Sequence, residues 1–473
     1  MVNMEIKSTK EMVDSKMKSY FTSVPYAEEA SEYYVEINSG CNLKCNMCPF
    51  SCKEFFTRKD NIMDLDKFSK IIKKISTVSP NAFVSLYHHS EPFLNKNLDK
   101  YVDIVKEHGL KVGLSSNFVV VDESVLRKII TKIEVLVVSV SGYYNETYLK
   151  SHVGGDVNKV KENLKKLYDL IKETGSSIKV HISYHMYKDN LGKDYQKMQE
   201  LAEKYDYVFT PIWSRSINIE MSLKYLRQIG KSRFIGKGLE WIDKIELPEA
   251  YFRTMDRMVH KPDNFLEGEW AQIQCDICPC INRIVTIHHD GKIESCSCGF
   301  DDELNKFDYL TVDMEEYYKE KSSSLFCKEC LANNLELYVG YMDLKHVEKD
   351  AYEQLKNKKE SFEICEEVIG KNEKEIIDFA KKHSKVYIYG AGGYGMNVKT
   401  LLENCGQNID AFVVTHKWDT EVNGIKLLSV DEIMQEEECG IIVAMNRTHK
   451  AEICNIVKEL KCDIIYAAEY VCL

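Results

Sequence analysis

Between residues 33 and about 215, short apolar runs alternate six times with amphipathic helical patterns. The runs at 33–38, 82–87, 111–115, 135–140, 178–184 and 208–212 read as strands. Asp64 is placed to cap a helix in which Leu65, Phe68, Ile71, Ile72 and Ile75 fall at helical spacing. Helices at 98–108 and 157–174 end at Gly109 and Gly175, and a further helix covers 195–205. Strand–helix–strand repetition implies a parallel sheet, whose ligand sites lie at the C-terminal ends of the strands. An α/β fold with a parallel sheet is therefore expected.

Directly after the first strand stands Cys41-Asn42-Leu43-Lys44-Cys45-Asn46-Met47-Cys48-Pro49. Three thiolates on so short a loop can converge on one centre, and such sets suit zinc or iron–sulfur clusters. A structural zinc loop would need a fourth ligand, which Cys52 could supply. Three ligands on a four-iron cluster would instead leave one iron open for chemistry.

The C-x3-C-x2-C run closely resembles the signature of the radical S-adenosylmethionine (radical SAM) superfamily. The resemblance implies a partial (β/α)6 barrel, with Cys41, Cys45 and Cys48 holding a 4Fe-4S cluster that binds S-adenosylmethionine. Reductive cleavage of that cofactor and abstraction of a substrate hydrogen follow from the same resemblance. Met47 stands where the family usually has an aromatic residue against adenine. Ser90-Glu91-Pro92 resembles the family's Gly-Glu-Pro, with Glu91 implied as the partner of the methionine amino group and Ser90 replacing Gly. Ser115, Asn117 and Ser139, at the next two strand ends, are the implied cofactor contacts. Gly154-Gly155-Asp156 and Asn163 resemble a segment of family members that carry a C-terminal cysteine-rich extension. His88, His89, His152, His181 and His185 lie near strand ends, where any could accept a proton or simply hold structure.

A second cysteine field follows a helical bridge at 216–270. Cys275, Cys278, Cys280, Cys296, Cys298, Cys327 and Cys330 fall within 271–340, with a strand pattern and an Asp290-Gly291 turn between them. Gly291-x4-Cys296 and Cys327-x2-Cys330 resemble the SPASM/Twitch extension of radical SAM enzymes. The short form implies one auxiliary 4Fe-4S cluster on Cys278, Cys296, Cys327 and Cys330. Cys280 competes with Cys278, and Cys275, Cys280 and Cys298 leave a second cluster open. A zinc ribbon is the alternative.

After a Lys- and Glu-rich helical linker at 341–384, residues 385–473 read as a small doubly wound, Rossmann-like domain. Gly390-Ala391-Gly392-Gly393-Tyr394-Gly395 sits between a strand and a helix, a pattern that can seat a phosphate. The acid of the complete dinucleotide fingerprint is missing from the end of the next strand, where Val414-Thr415-His416-Lys417 stands. The domain resembles the nucleotide-sugar-associated modules found beside polysaccharide-modifying enzymes.

A net charge of −11 argues against dominant nucleic-acid binding. Residues 1–18, in a helical lead covering 1–30, lack the apolar core of a signal peptide, and no apolar run is long enough to span a bilayer. The 17 cysteines then read as reduced thiols and metal ligands in a cytoplasmic protein. The expected activity is that of a radical SAM oxidoreductase or epimerase acting on a sugar or polyol, free or carried on a glycan. An electron donor such as flavodoxin or ferredoxin is implied. Peptide modification and a catalytically inactive metal-binding scaffold are the alternatives. The 32 residues before the first strand are too few for a separate peptide-recognition domain.

Overall fold

The computed structural model describes residues 32–49, 61–233, 237–268, 270–272, 278, 284–294, 296, 298–299, 306–340, 345–358 and 363–473. Residues 1–31, Cys52, Cys275 and Cys280 lie outside them. Two compact units result: residues up to 187 with 212–342, and 188–211 with 343–473.

The first unit is built on a sheet of seven strands: β1 (Glu32–Val35), β2 (Phe83–Ser85), β3 (Lys111–Ser116), β4 (Val135–Val140), β5 (Lys179–Met186), β6 (Val208–Trp213) and β7 (Ile284–Ile287). Of β6, Ile212 and Trp213 belong to this unit. The order is β6-β5-β4-β3-β2-β1-β7, and the ladders joining β1 to β2, β3, β4 and β5 in turn are parallel. This is the expected partial barrel, with one strand added at its open edge. β7 pairs in parallel with β1, Glu32 opposite Ile284 and Val35 opposite Ile287. The cysteine-rich segment is thereby spliced onto the strand that leads into Cys41.

The helices form where apolar spacing and caps agree. The Asp64 carboxylate accepts from the Lys67 N–H at 3.0 Å and starts helix Leu65–Val78, which buries Phe68, Ile71, Ile72 and Ile75. Burying each such side chain contributes about 1.5–3 kcal/mol. Helix Val157–Thr174 starts on Asp156 and ends on Gly175 at φ 65°, a conformation that glycine adopts at little cost. Helix Glu123–Ile129, capped by Asp122, was not expected from the sequence pattern. The bridge contains helices Ile219–Gln228, Glu240–Asp243 and Glu249–Arg257.

The second unit has a six-stranded sheet: β8 (Lys385–Tyr389), β9 (Ala411–Val414), β10 (Glu421–Val422), β11 (Ile425–Ser429), β12 (Cys439–Val443) and β13 (Asp463–Tyr466). Its order, β10-β11-β9-β8-β12-β13, reverses direction between β8 and β12 and so is doubly wound. Gly390, at φ 109°, and Gly395 make the turn after β8. A Cβ on Gly395 would stand 1.8 Å from the Gly390 carbonyl oxygen. Asp410 accepts from the Val386 N–H at 2.7 Å, so this acid ties β9 to β8 at their starts, far along the strand from the position of a ribose-binding acid. Cys439 and Cys462 stand close together, their Cα atoms 5.0 Å apart. Pairing Gly440 with Asp463 brings these two cysteines side by side.

Candidate active site

The Cys41–Cys48 loop leaves the C-terminal end of β1 and is held from several sides. The Lys44 N–H donates to the Val153 carbonyl at 2.9 Å, and the Asn46 N–H to the Ser151 carbonyl at 3.3 Å. The Asn46 side chain donates to the Lys150 carbonyl and to Thr254 Oγ1. The Cys48 N–H closes a turn on the Cys45 carbonyl. Cys41, Cys45 and Cys48 are partly exposed and lie outside any disulfide. Three thiols presented on one pinned loop fit the donor set of a site-open four-iron cluster.

Glu91, only 2% exposed, organises the strand ends beside this loop. Its N–H donates to the Gly40 carbonyl at 2.8 Å. Its carboxylate accepts from Ser116 Oγ at 2.7 Å and from the N–H groups of Asn117 (2.9 Å) and Phe93 (3.2 Å). Burial pushes its pKa up to about 7 despite these donors. The Asn117 amide donates to Asn42 Oδ1 at 3.0 Å and points at Cys41 Sγ at 3.8 Å. Glu91 and Asn117 therefore join β2, β3 and the thiol loop. The serine that holds Glu91 is Ser116, the neighbour of Ser115, the expected cofactor contact. Phe118, fully buried, takes a left-handed φ of 57°, a strain of about 1–3 kcal/mol. Asn163 holds that turn through the Phe118 and Val119 carbonyls at 3.0 and 3.3 Å.

Met47, Ser90, Ser115 and Ser139 are partly buried. Ser139 stands opposite Ser183 in the β4–β5 ladder. Tyr148 is a neighbour that the sequence did not single out. Its ring is fully buried, and its hydroxyl has no hydrogen-bond partner among the described residues. Burial, then the charges of Cys45 and Glu91, hold its phenol well above the usual range. Gly155 leaves room for the ring, since a Cβ there would come within 2.7 Å of it.

His152 stacks on Tyr148, with ring centroids 4.6 Å apart, and its Nδ1 lies 2.8 Å from Ser141 Oγ. Burial, with His185 and Arg257 adding to it, lowers its pKa to about 3. The folded state thus excludes a proton that the unfolded chain binds below about pH 6.5. This group's contribution to stability falls by about 1.4 kcal/mol per pH unit as pH drops from 6.5 towards 3. A His152→Gln chain should show a shallower acid loss than the wild type in urea midpoints measured between pH 7 and 4.5. Parallel slopes would refute this.

In the second cysteine field, helix Leu325–Ala332 carries Cys327 and Cys330 one turn apart, and Ser324 caps it on the Cys327 N–H at 3.1 Å. Glu329 of this helix, fully buried, accepts from Arg227 Nε and Nη2, which fix it to helix Ile219–Gln228. The Cys298 carbonyl accepts from the Ile219 N–H at 2.6 Å, and Cys296 bridges to Gly299. Burial, with neighbouring Cys298 and Cys327 adding to it, pushes the Cys296 thiol up, and Cys330 is raised by burial within the same group. Cys296, Cys298, Cys327 and Cys330 thus form one electrostatic neighbourhood. Cys298, set aside in the expected ligand set, belongs to it as much as its companions do. Cys278 is partly exposed.

Residues 35–193 match the Radical SAM superfamily model. This segment is a radical SAM domain. Residues 385–451 match the PglD N-terminal domain, in keeping with the Rossmann-like second sheet. The chain is 28% identical over 96 residues to the tungsten-containing aldehyde ferredoxin oxidoreductase cofactor-modifying protein of Pyrococcus furiosus, covering 20% of this chain and 26% of that protein. It is 31% identical over 74 residues to the S-adenosyl-L-methionine-dependent 2-deoxy-scyllo-inosamine dehydrogenase of Niallia circulans, covering 16% of this chain and 29% of that protein. Among solved structures, Streptococcus suis SuiB bound to precursor peptide SuiA is 12% identical at a TM-score of 0.40, covering 65% of this chain and 69% of that one. BtrN in complex with AdoMet and 2-DOIA is 15% identical at a TM-score of 0.36, covering 66% and 93%. The radical SAM domain contains the thiol loop, Glu91, Asn117 and His152. No helix among the described residues is long and apolar enough to cross a membrane.

Proposed function

We propose that this chain is a radical SAM enzyme that dehydrogenates or epimerises a sugar or polyol. The observation that carries the reading is the junction of the Cys41–Cys48 loop with Glu91 and Asn117 at the ends of β1, β2 and β3. Cys41, Cys45 and Cys48 would hold the 4Fe-4S cluster, and Cys296, Cys327 and Cys330, with Cys278 or Cys298, an auxiliary one. A site-open cluster with S-adenosylmethionine supplies reductive cleavage of that cofactor and abstraction of a substrate hydrogen atom.

The chain's own residues prepare the setting. Glu91 keeps the strand ends in register with the thiol loop. Asn117 sets an amide N–H against Cys41 Sγ, where it favours the thiolate. His152, held neutral by burial, packs its ring on Tyr148. The inosamine dehydrogenase among the relatives and the PglD-like second unit support a sugar or polyol over other small molecules.

The test is anaerobic incubation of reconstituted enzyme with sugar nucleotides, amino polyols and candidate peptides, following 5′-deoxyadenosine and product. Turnover stimulated by a sugar or polyol is the expected result. Stimulation by peptide alone would replace this reading with peptide modification.

A further inference from the structure

The two cysteine sets leave unexplained a buried group at the ends of β1, β2 and β7. Glu294 follows β7 and its side chain is inaccessible to solvent. His88 Nδ1 lies 3.2 Å from one of its carboxylate oxygens, and His89 Nε2 lies 3.8 Å from the other. One donor atom from each of the three residues falls within 4.8 Å of the others. Neither Glu294 oxygen accepts a hydrogen bond among the described residues. The two imidazole rings are 3.9 Å apart.

A second carboxylate stands behind them. Glu36, 3% exposed, accepts from the His89 N–H at 2.9 Å and meets His288 Nδ1 at 2.8 Å. It fixes the backbone that carries His89 and ties the end of β1 to the end of β7. Glu220 adds negative charge near Glu294, and Lys321 is the cation that faces it.

A buried carboxylate whose oxygens accept no hydrogen bond is costly to keep ionised. One ion bound by all three side chains would remove that cost, because imidazole nitrogen and carboxylate oxygen would both donate to it. Two imidazoles and one carboxylate match the first-row transition metals better than calcium or magnesium, which favour all-oxygen sets. We propose that His88, His89 and Glu294 bind one divalent transition-metal ion, with zinc or ferrous iron the fitting class. Three protein ligands leave a coordination position for water or for an oxygen of the substrate. The site uses no cysteine.

Zinc tests it on the full chain with its iron–sulfur complement. The protein is purified anaerobically, stripped with a mild chelator, given Zn2+ and desalted. About one zinc per chain should remain. Its X-ray absorption spectrum should show a nitrogen and oxygen shell at about 2.0–2.2 Å with imidazole scattering and no sulfur. Glu294→Gln and His88→Ala should each lower zinc affinity more than tenfold at unchanged iron and sulfide content. A sulfur shell, no retained zinc, or equal affinity in variants that keep the wild-type fold would overturn the proposal. Where a variant fails to fold, the wild-type spectrum decides.

Discussion

A Cys45→Ser chain should lose reductive S-adenosylmethionine cleavage altogether. The sulfur of Cys45 is the middle donor of the loop, and a serine oxygen is a harder and poorer ligand for iron. The loop itself should survive the change. Its backbone is held by Lys44 to Val153, by Asn46 to Ser151 and by the Cys48 N–H to the carbonyl of residue 45, none of which uses the thiol. Iron and sulfide should each fall by about four per chain, one cluster's worth. Metal bound at the second cysteine field should stay. Anaerobic iron and sulfide assays with chromatographic detection of 5′-deoxyadenosine check this. Cleavage at the wild-type rate would place the reactive cluster elsewhere.

What was legible in the sequence was what neighbouring residues determine. Asp64 and Gly175 end their helices because a cap and a left-handed residue act within one turn. β4 needed only its own apolar run. The hairpin of β10 and β11 was also written locally, in Asn423-Gly424, both at positive φ, but that signal went unused beside the longer helical patterns. Ser115 and Ser116 differ by one position, and one residue in a strand changes the face. Ser116 therefore reaches Glu91 from the face opposite to that of Ser115, a partnership between β3 and the loop after β2 that the strand's own residues do not reveal. Other features depend on partners far along the chain. Nothing local says that β7 pairs with β1, although this pairing brings Glu36 to His288 and underlies the approach of Glu294 to His88 and His89. The place of Cys298 beside Cys296 likewise depends on helix Ile219–Gln228, whose first N–H holds the Cys298 carbonyl. The two cysteine motifs could be read separately because each is a spacing. The pairing of β7 with β1, the strand that leads into Cys41, could not, because it joins residues about 250 positions apart.

The second large effect is expected in a Cys330→Ser chain. Cys330 shares helix Leu325–Ala332 with Cys327 and feels the charges of Cys296, Cys327 and Cys298. Removing its sulfur should release the proposed auxiliary cluster, seen as a loss of about four iron per chain. The helix should stay in place, because Ser324 caps it and Arg227 grips Glu329 without help from the thiol. The Cys41–Cys48 loop draws its hydrogen bonds from residues 117, 150–153 and 254, none of them in the second cysteine field, so S-adenosylmethionine cleavage should continue. Where the auxiliary cluster accepts the electron of the substrate radical, oxidised product should fall below detection. The signature is therefore uncoupling: 5′-deoxyadenosine accumulates without oxidised product. Comparing Cys278→Ser with Cys298→Ser by the same two measurements identifies the fourth ligand, since its replacement alone should reproduce the uncoupling. Product formed by Cys330→Ser at the wild-type ratio to 5′-deoxyadenosine would show that the second cysteine field holds structure and takes no part in turnover.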